Sequence, residues 1–144
     1  GIGAHGRALA RAGGHVVGVE IDAEAVRIVE DTATTGFEVV CAPVEGVLSE
    51  LLPADLVIVN PPRAGVDLAV INLILTNPPG RLIYISCDPA TLARDLARLS
   101  PSYLPGRIRC FDLFPQTAHV ETVIELVARV NPDGRAFQPE IRKE

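Results

Sequence analysis

A cysteine stands at the point where a strand is predicted to end and a helix to begin. Cys87 follows residues 81–85, an apolar and β-branched run of the kind found in strands. Asp88 is a residue type favoured at a helix N-cap, and Pro89 suits the first helical position. The partial positive charge of a helix N-terminus stabilises a thiolate, which is the reactive form of cysteine. We therefore predict that Cys87 is a nucleophile, and the alternative is a buried structural thiol.

A glycine-rich loop at the start of the chain is the second candidate site. Gly1, Gly3 and Gly6 form the pattern G-x-G-x-x-G, and residues 15–20 read as a buried strand that ends in Glu20. Such glycines permit a tight turn and a close approach to a ligand, and an acid in the position of Glu20 binds a ribose hydroxyl. The pattern predicts a cofactor site but does not distinguish NAD from S-adenosylmethionine. A plain turn with a solvent-facing Glu20 is the alternative.

A proline-rich loop forms the third candidate. Residues 56–59 are wholly apolar, as expected of a strand at the centre of a parallel sheet, and Asn60-Pro61-Pro62-Arg63-Ala64-Gly65 follows them. Open α/β sheets bind ligands at the carboxyl ends of their strands. The two prolines hold the backbone rigid. We expect Asn60 and Arg63 to point in fixed directions there, and a simple rigid turn is the alternative.

The remaining pattern positions these candidates in an alternating series of helices and strands. Helices are predicted over residues 7–12, 23–33, 44–52, 68–75 and up to 99, and further strands over 37–41, 107–113 and 120–130. The series predicts an α/β fold with a mostly parallel sheet and an antiparallel edge strand at the C-terminal end. Arg94 and Arg98 share a helix face that we expect to be solvated, with phosphate binding as the alternative.

Composition limits the classes of function. The chain has 144 residues, one domain's worth, and we assign 1–130 to that domain and 131–144 to a flexible tail. Its net charge of −5 is unsuited to holding nucleic acid unaided. Three cysteines without metal-type spacing predict no metal site and a reducing, cytoplasmic location, with Cys41 and Cys110 in the core. No apolar run reaches membrane-spanning length, and no signal peptide is evident.

Three segments together resemble one family. They occur in the order Asn60-Pro-Pro-Arg-Ala-Gly, Ser86-Cys-Asp-Pro-Ala-Thr-Leu-Ala-Arg-Asp and Phe114-Pro-Gln-Thr-Ala-His-Val-Glu-Thr-Val. The chain from residue 1 to about 129 resembles the catalytic domain of the RNA uracil-5-methyltransferases, which make 5-methyluridine in ribosomal and transfer RNA. The resemblance implies a Rossmann-like class I fold that uses S-adenosylmethionine and acts on an RNA substrate.

The resemblance also implies a role for individual residues. By motif position Cys87 matches the nucleophile and Glu121 the general base. Gly1 and Gly3 match the cofactor loop and Glu20 the ribose-binding acid, while Asn60 matches a cofactor-site position that is usually Asp. In this chemistry the thiolate adds to C6 of uracil, C5 becomes nucleophilic, and the carboxylate removes the C5 proton after methylation.

The chain departs from the family pattern in three places. Asn60 has no charge, and Asp88 stands where the family often has Asn, so that its charge opposes thiolate formation beside Cys87. The glycine loop also lacks a preceding strand. From this we expect a truncated first strand, and RNA gripped mainly by an upstream domain. The RNA-binding domain and the iron–sulfur cluster of some members are not in these residues.

Other readings of the same residues stay open. The Asn60-Pro61-Pro62 loop resembles that of amino-group methyltransferases, although Arg63 replaces their aromatic residue. The glycine loop and Glu20 alone would suit an NAD-binding oxidoreductase. An inactive, truncated cofactor-binding domain is the non-enzymatic alternative.

Overall fold

The structure is a computed structural model that describes residues 1–113, 115–116 and 120–130. Helices and strands alternate through most of the chain, which confirms the α/β class. The elements are α1 (Ala4–Arg11), β1 (Val16–Glu20), α2 (Ala23–Asp31), β2 (Phe37–Cys41), α3 (Val44–Leu51), β3 (Leu56–Val59), α4 (Leu68–Thr76), β4 (Arg81–Ser86), α5 (Pro89–Leu99), β5 (Tyr103–Phe111) and β6 (Glu121–Ala128). Two boundaries differ clearly from prediction, because α1 begins three residues before position 7 and β5 begins at Tyr103 rather than 107.

The chain divides into two compact units, Gly1–Glu50 and Leu51–Glu144. In the first unit β1 and β2 form a parallel pair, from Val16 opposite Phe37 to Glu20 opposite Cys41. Helix α2 buries Val26 and Val29. The helix predicted over residues 23–33 is shorter in the structure, because α2 ends at Asp31 and Ala33 lies beyond it, exposed.

The second unit contains a four-stranded sheet in the order β3-β4-β6-β5. Strands β3 and β4 are parallel, while β6 runs antiparallel to both β4 and β5. Two predictions of strand position are therefore wrong: β3 lies at an edge of this sheet, and β6 lies inside it rather than at an edge. The sheet is mixed, and the antiparallel C-terminal strand that was predicted is β6.

The alternation along β6 explains the core of this unit. Thr122, Ile124, Leu126 and Ala128 are buried, and the residues between them are partly exposed. This is the period-two pattern of a strand with one face in the core. Helices α4 and α5 add apolar side chains, and each that leaves water contributes about 1.5–3 kcal/mol. These helix residues are Val70, Ile71, Ile74, Leu92 and Leu99.

Both cysteines predicted in the core are exposed. Cys41 is the last residue of β2, and β2 pairs only with β1 among the described strands. Cys110 lies on β5, whose residues after Tyr103 are all exposed because the strand forms a sheet edge. A small apolar side chain is buried only where something covers it, and neither position is covered.

Some predictions fall outside the described residues. The segment 131–144, assigned to a flexible tail, is one, and Phe114 and the stretch from 117 to His119 are others. None of the helices within the described ranges is long and apolar enough to cross a membrane. Across the same ranges, no three His, Cys, Asp or Glu side chains are grouped as metal ligands would be.

Candidate active site

Cys87 lies at the junction where it was predicted, between the end of β4 at Ser86 and the start of α5 at Pro89. Its side chain is half-buried. Asp88 is the N-cap of α5, and one carboxylate oxygen accepts hydrogen bonds from the amides of Ala90 and Thr91, both at 2.9 Å. The capping prediction is confirmed.

Ser86 holds the backbone on the other side of the cysteine. Its Oγ accepts a hydrogen bond from the Asp88 amide at 3.1 Å and donates one to the Asp88 carbonyl at 2.9 Å. Both neighbours of Cys87 are thus bonded into the turn. These bonds fix the backbone on both sides of Cys87 and so restrict the direction of its Cα–Cβ bond.

Glu121 begins β6 beside the end of β4. The β4–β6 register places Ser86 opposite Thr122. Cys87 is the residue after Ser86, and Glu121 is the residue before Thr122. Directly opposed residues of antiparallel strands have Cα atoms roughly 4.5–5.5 Å apart. Even if the ladder stops at Ser86, chain geometry keeps the two Cα atoms within about 13 Å of each other.

The pleat of the strands bears on where the side chains point. Opposed residues in an antiparallel pair share a face of the sheet. Ser86 and Thr122 are both buried on one face, so the alternation puts Glu121 on the other. Cys87 shares that other face if the pleat continues one residue beyond Ser86.

Asn60 follows β3 at the end of the sheet where β4 also finishes. Val59 pairs with Tyr84 in the parallel β3–β4 ladder, so Asn60 stands one strand away from the last residues of β4. Asn60 and Arg63 are exposed. One end of this sheet, where β3 and β4 finish and β6 begins, therefore contains Asn60, Cys87 and Glu121.

The two arginines on α5 lie on a solvated face, as predicted, with side chains that are 42% and 37% exposed, and each also pairs with an acid of the same helix. Nη2 of Arg94 lies 3.0 Å from a carboxylate oxygen of Asp95, and Nη1 of Arg98 lies 3.2 Å from the same oxygen. Asp95 itself is fully buried. Both cations are thus engaged by an acid of their own helix.

Of the predicted cofactor-binding residues, Gly1, Gly3 and Glu20 belong to the first unit and Asn60 to the second. The backbone nitrogen of Gly1 contacts one carboxylate oxygen of Glu20, and the other accepts a hydrogen bond from the Asp22 amide at 2.9 Å. Gly3 precedes α1 with a φ of 73°, a left-handed conformation that favours glycine. A side chain at Gly3 or Gly6 would also collide with the ring of Phe37, so both glycines have a packing role.

A depression of about 230 Å³ lies at the carboxyl ends of β1 and β2. Glu20 forms part of its wall, together with Ile21 and Val44. The Ile21 side chain is 69% exposed, which is unusual for so apolar a residue. A carboxylate beside exposed aliphatic carbon suits a ligand with both hydroxyl groups and a flat apolar ring.

A second depression, of about 270 Å³, lies on the sheet of the second unit and is lined by Ile83, Arg107, Arg109, Val123 and Glu125. Neither Cys87 nor Glu121 is among the described residues that line it. We assign it no part in the chemistry.

Sequence reasoning missed Ser86, Tyr84 and Asp95. Asp95 did leave a signal, because Leu92, Asp95 and Leu99 follow the spacing of a buried helical stripe. An acid on such a stripe is costly to bury unless it is paired, and the flanking Arg94 and Arg98 are its partners. Nothing local distinguished Ser86 from an ordinary strand residue.

Comparison with known proteins identifies the family. A family model described as tRNA (uracil-5-)-methyltransferase matches residues 44–129. A protein named as an uncharacterized RNA methyltransferase in Thermosynechococcus vestitus is 43% identical over 130 residues, which is 85% of this chain and 29% of the relative. One so named in Enterococcus faecalis is 39% identical over 140 residues, covering 91% and 31%. The chain therefore spans about a third or less of these relatives.

Solved structures agree with the sequence comparisons. The tRNA (uracil-54, C5)-methyltransferase of Pyrococcus abyssi, in complex with S-adenosyl-L-homocysteine, matches with a TM-score of 0.78 and 36% identity over 88% of this chain and 32% of that one. An rRNA methylase from Streptococcus thermophilus matches at 0.65 with 16% identity over 89% and 81%, which supports the fold alone. The fold is thus the Rossmann-like one of methyltransferases. With a family model matching more than half of its residues, the chain belongs to the tRNA (uracil-5-)-methyltransferase family.

Proposed function

We propose that this chain is the catalytic domain of an enzyme that methylates C5 of uridine in RNA. The observation that supports the proposal is the β4–β6 register, in which Ser86 lies opposite Thr122, so that Cys87 and Glu121 are each one residue beyond that pair at the end of the sheet. A nucleophile and a base that serve one small ring must lie on either side of it, within hydrogen-bond or bonding reach. Family membership and the S-adenosyl-L-homocysteine bound to the Pyrococcus abyssi relative support the same reaction.

Cys87 begins the reaction in this proposal. Its thiolate adds to C6 of the uracil, and the electron pair of the C5–C6 double bond moves to C5 and the O4 carbonyl. C5 is then nucleophilic enough to accept a methyl group. The bonded turn made by Ser86 and Asp88 holds the thiol in place, which lowers the entropic part of the barrier.

Glu121 completes the reaction. Once C5 carries the methyl group, the carboxylate removes the C5 proton, the C5–C6 double bond re-forms and the C6–S bond breaks. Cys87 leaves as the thiolate and is ready for another turnover. Glutamate suits this step because the acidified C5–H needs only a modest base.

S-adenosylmethionine is the proposed methyl donor, and its sulfonium would supply the electrophilic methyl group, with the methyl–sulfur bond breaking and its electron pair remaining on sulfur as S-adenosylhomocysteine leaves. The first unit fits its adenosine part, because Glu20 could accept hydrogen bonds from both ribose hydroxyls and Ile21 offers an apolar surface to the adenine. Gly1 and Gly3 are proposed to belong to the same site, because they lie in the glycine-rich loop that leads into α1. Asn60 is proposed to hydrogen-bond to the cofactor. As an amide, it lacks the charge that a carboxylate at this position would have.

The RNA itself is proposed to be held largely by protein outside these residues. The net charge is −5, and each phosphate contact usually needs a cationic partner. The target uridine must also leave its stack to reach Cys87, which favours a loop or a flipped nucleotide.

Covalent trapping on 5-fluorouridine RNA tests the proposal. Fluorine at C5 cannot be removed as a proton, so the protein with S-adenosylmethionine should become linked to the RNA through Cys87. Cys87→Ala should give no adduct. Cys110→Ala is the matched control, because Cys110 is an exposed cysteine of the same unit and its loss should leave the adduct intact.

The Glu121→Gln variant tests the second half of the reaction. With ordinary RNA it should accumulate a methylated adduct, because the C5 proton stays and Cys87 cannot leave. Mass spectrometry of the linked nucleotide distinguishes this species from an unmethylated one. An adduct that persists in Cys87→Ala, or methyl transfer to an exocyclic amine with no adduct at all, would contradict the mechanism.

A further inference from the structure

Asp95 is a buried carboxylate that the proposed reaction does not use. It lies on α5, eight residues after Cys87, and its side chain is fully buried. A buried carboxylate is expensive unless its oxygens are satisfied. Its bonding partners therefore show what the residue is for.

Each oxygen of Asp95 has its own set of donors. Oδ2 accepts from the Val66 amide at 2.8 Å and from the Tyr84 hydroxyl at 2.7 Å. Oδ1 accepts from Nε of Arg94 at 3.0 Å and from Nη1 of Arg98 at 3.2 Å. We call these four side chains, with the backbone they hold, the Asp95 cluster.

The Asp95 cluster joins three elements that border Cys87. Tyr84 lies on β4, three residues before the cysteine, and Asp95 lies on α5, which starts beside it. The third element is loop 60–66, which Asp95 binds through the Val66 amide. Arg94 binds the same loop a second time, because its Nη2 donates to the Ala64 carbonyl at 2.7 Å.

The backbone of loop 60–66 is shaped to this contact. Gly65 has a φ of 82°, and a Cβ at that position would collide with Nη2 of Arg94 and with Oδ2 of Asp95. The loop thus approaches the cluster as closely as only a glycine allows. This close docking orders the C-terminal end of the segment that begins with Asn60.

Charge on Asp95 is retained in the folded protein. Burial raises the pKa of this carboxyl, but hydrogen bonds from Arg94, the Val66 amide and Tyr84 outweigh burial, so that its pKa lies below the ordinary value. Burial, together with the bond to Asp95, raises the pKa of Tyr84, which stays a neutral hydrogen-bond donor. The cluster is therefore a charged acceptor surrounded by donors.

We propose that Asp95 is a positioning residue, whose carboxylate locks loop 60–66 onto α5 and so keeps the spacing between Asn60 and Cys87 constant. The proposal rests on the proposed function, since it assigns Asp95 to the support of that site. Only a carboxylate can do this, because a carboxamide accepts hydrogen bonds on one atom and donates on the other. An asparagine must lose either the Val66 amide or the arginines.

The test measures how fast Cys87 forms its adduct with 5-fluorouridine RNA in Asp95→Asn. A misplaced site slows the step, and we expect a rate roughly 10- to 100-fold lower at saturating RNA, with RNA affinity unchanged within about twofold. The final yield of adduct should equal that of wild type. A purely structural role would instead lower the yield, because part of the protein would be unfolded, and leave the rate of the remainder unchanged.

A pair of tyrosine variants keeps the test decisive if Asp95→Asn does not fold. Tyr84→Phe removes one hydrogen bond to Asp95, and Tyr103→Phe removes one buried bond to the Pro79 carbonyl, at 3.0 Å, elsewhere in the unit. Tyr84→Phe should slow adduct formation roughly two- to tenfold, whereas Tyr103→Phe should not. Equal rates in the two variants would overturn the proposal.

Hydrogen exchange separates failure of this proposal from failure of the proposed function. If wild type forms no adduct, the uracil chemistry is wrong, and exchange alone decides the role of Asp95. Loss of protection at the Val66 amide in Asp95→Asn, with the amides of β4 still protected, supports the positioning role. Unchanged protection at Val66 overturns it.

Discussion

At the scale of the residue, Gly65 shows how a single missing side chain shapes the site. Its φ of 82° is strained for any other residue, and the space for a Cβ is occupied by Arg94 and Asp95. We expect Gly65→Ala to destabilise the protein by about 2–4 kcal/mol, from the conformational cost and the collision together. The measurement is the free energy of unfolding in urea.

Gly80 provides the matched control in the same unit. A Cβ there would make only an ordinary contact of 3.7 Å with the Asp55 carbonyl, and its φ is not in the left-handed region. Gly80→Ala should therefore change stability by no more than about 1 kcal/mol. A similar loss in both variants would mean that glycine flexibility in general, rather than the docking of this loop, sets the cost.

At the scale of the element, α5 depends on its N-cap. Asp88 satisfies two of the amides that a helix start leaves unpaired, those of Ala90 and Thr91, and Pro89 needs no such bond. Asp88→Ala should destabilise the protein by about 1 kcal/mol, as measured by urea denaturation. Asp88→Asn should lie within about 0.5 kcal/mol of wild type because asparagine caps equally well. Equal losses in the two variants would show that charge rather than capping matters.

At the scale of the whole molecule, the charge on Asp95 makes stability depend on pH. Its pKa is lower in the folded protein than the ordinary 3.8, so the unfolded chain takes up the proton first as pH falls. The contribution is thus fully present above about pH 5 and is lost as pH falls through 3.8 and then through the folded pKa.

Comparison of wild type with Asp95→Asn isolates this contribution. The variant should be less stable at pH 7, and the difference in unfolding free energy between the two proteins should shrink on going from pH 5 to pH 3. Urea denaturation at a series of pH values measures it. A difference that stays constant over this range would show that folding does not lower the pKa of Asp95.

Local chemistry determined much of this protein from sequence alone. The strand ending at Ser86, the Asp88 cap and the proline after it placed Cys87 at a junction, because capping and proline preferences act over a few neighbouring residues. The apolar run of β3 and the alternation in β6 likewise predicted strands, since a period of two follows from the backbone.

Only the tertiary structure decided which elements are neighbours. Apolar content did not place β3 at an edge of its sheet or β6 between β4 and β5, because periodicity specifies the faces of a strand but not its partners. That order pairs Ser86, the residue before Cys87, with Thr122, the residue after Glu121, although Cys87 and Glu121 are 34 positions apart in the chain. It also leaves Cys41 and Cys110 uncovered, and it gives the partly exposed Arg94 and Arg98 a buried partner in Asp95. Burial and pairing depend on what packs against a residue, and that is a property of the folded chain.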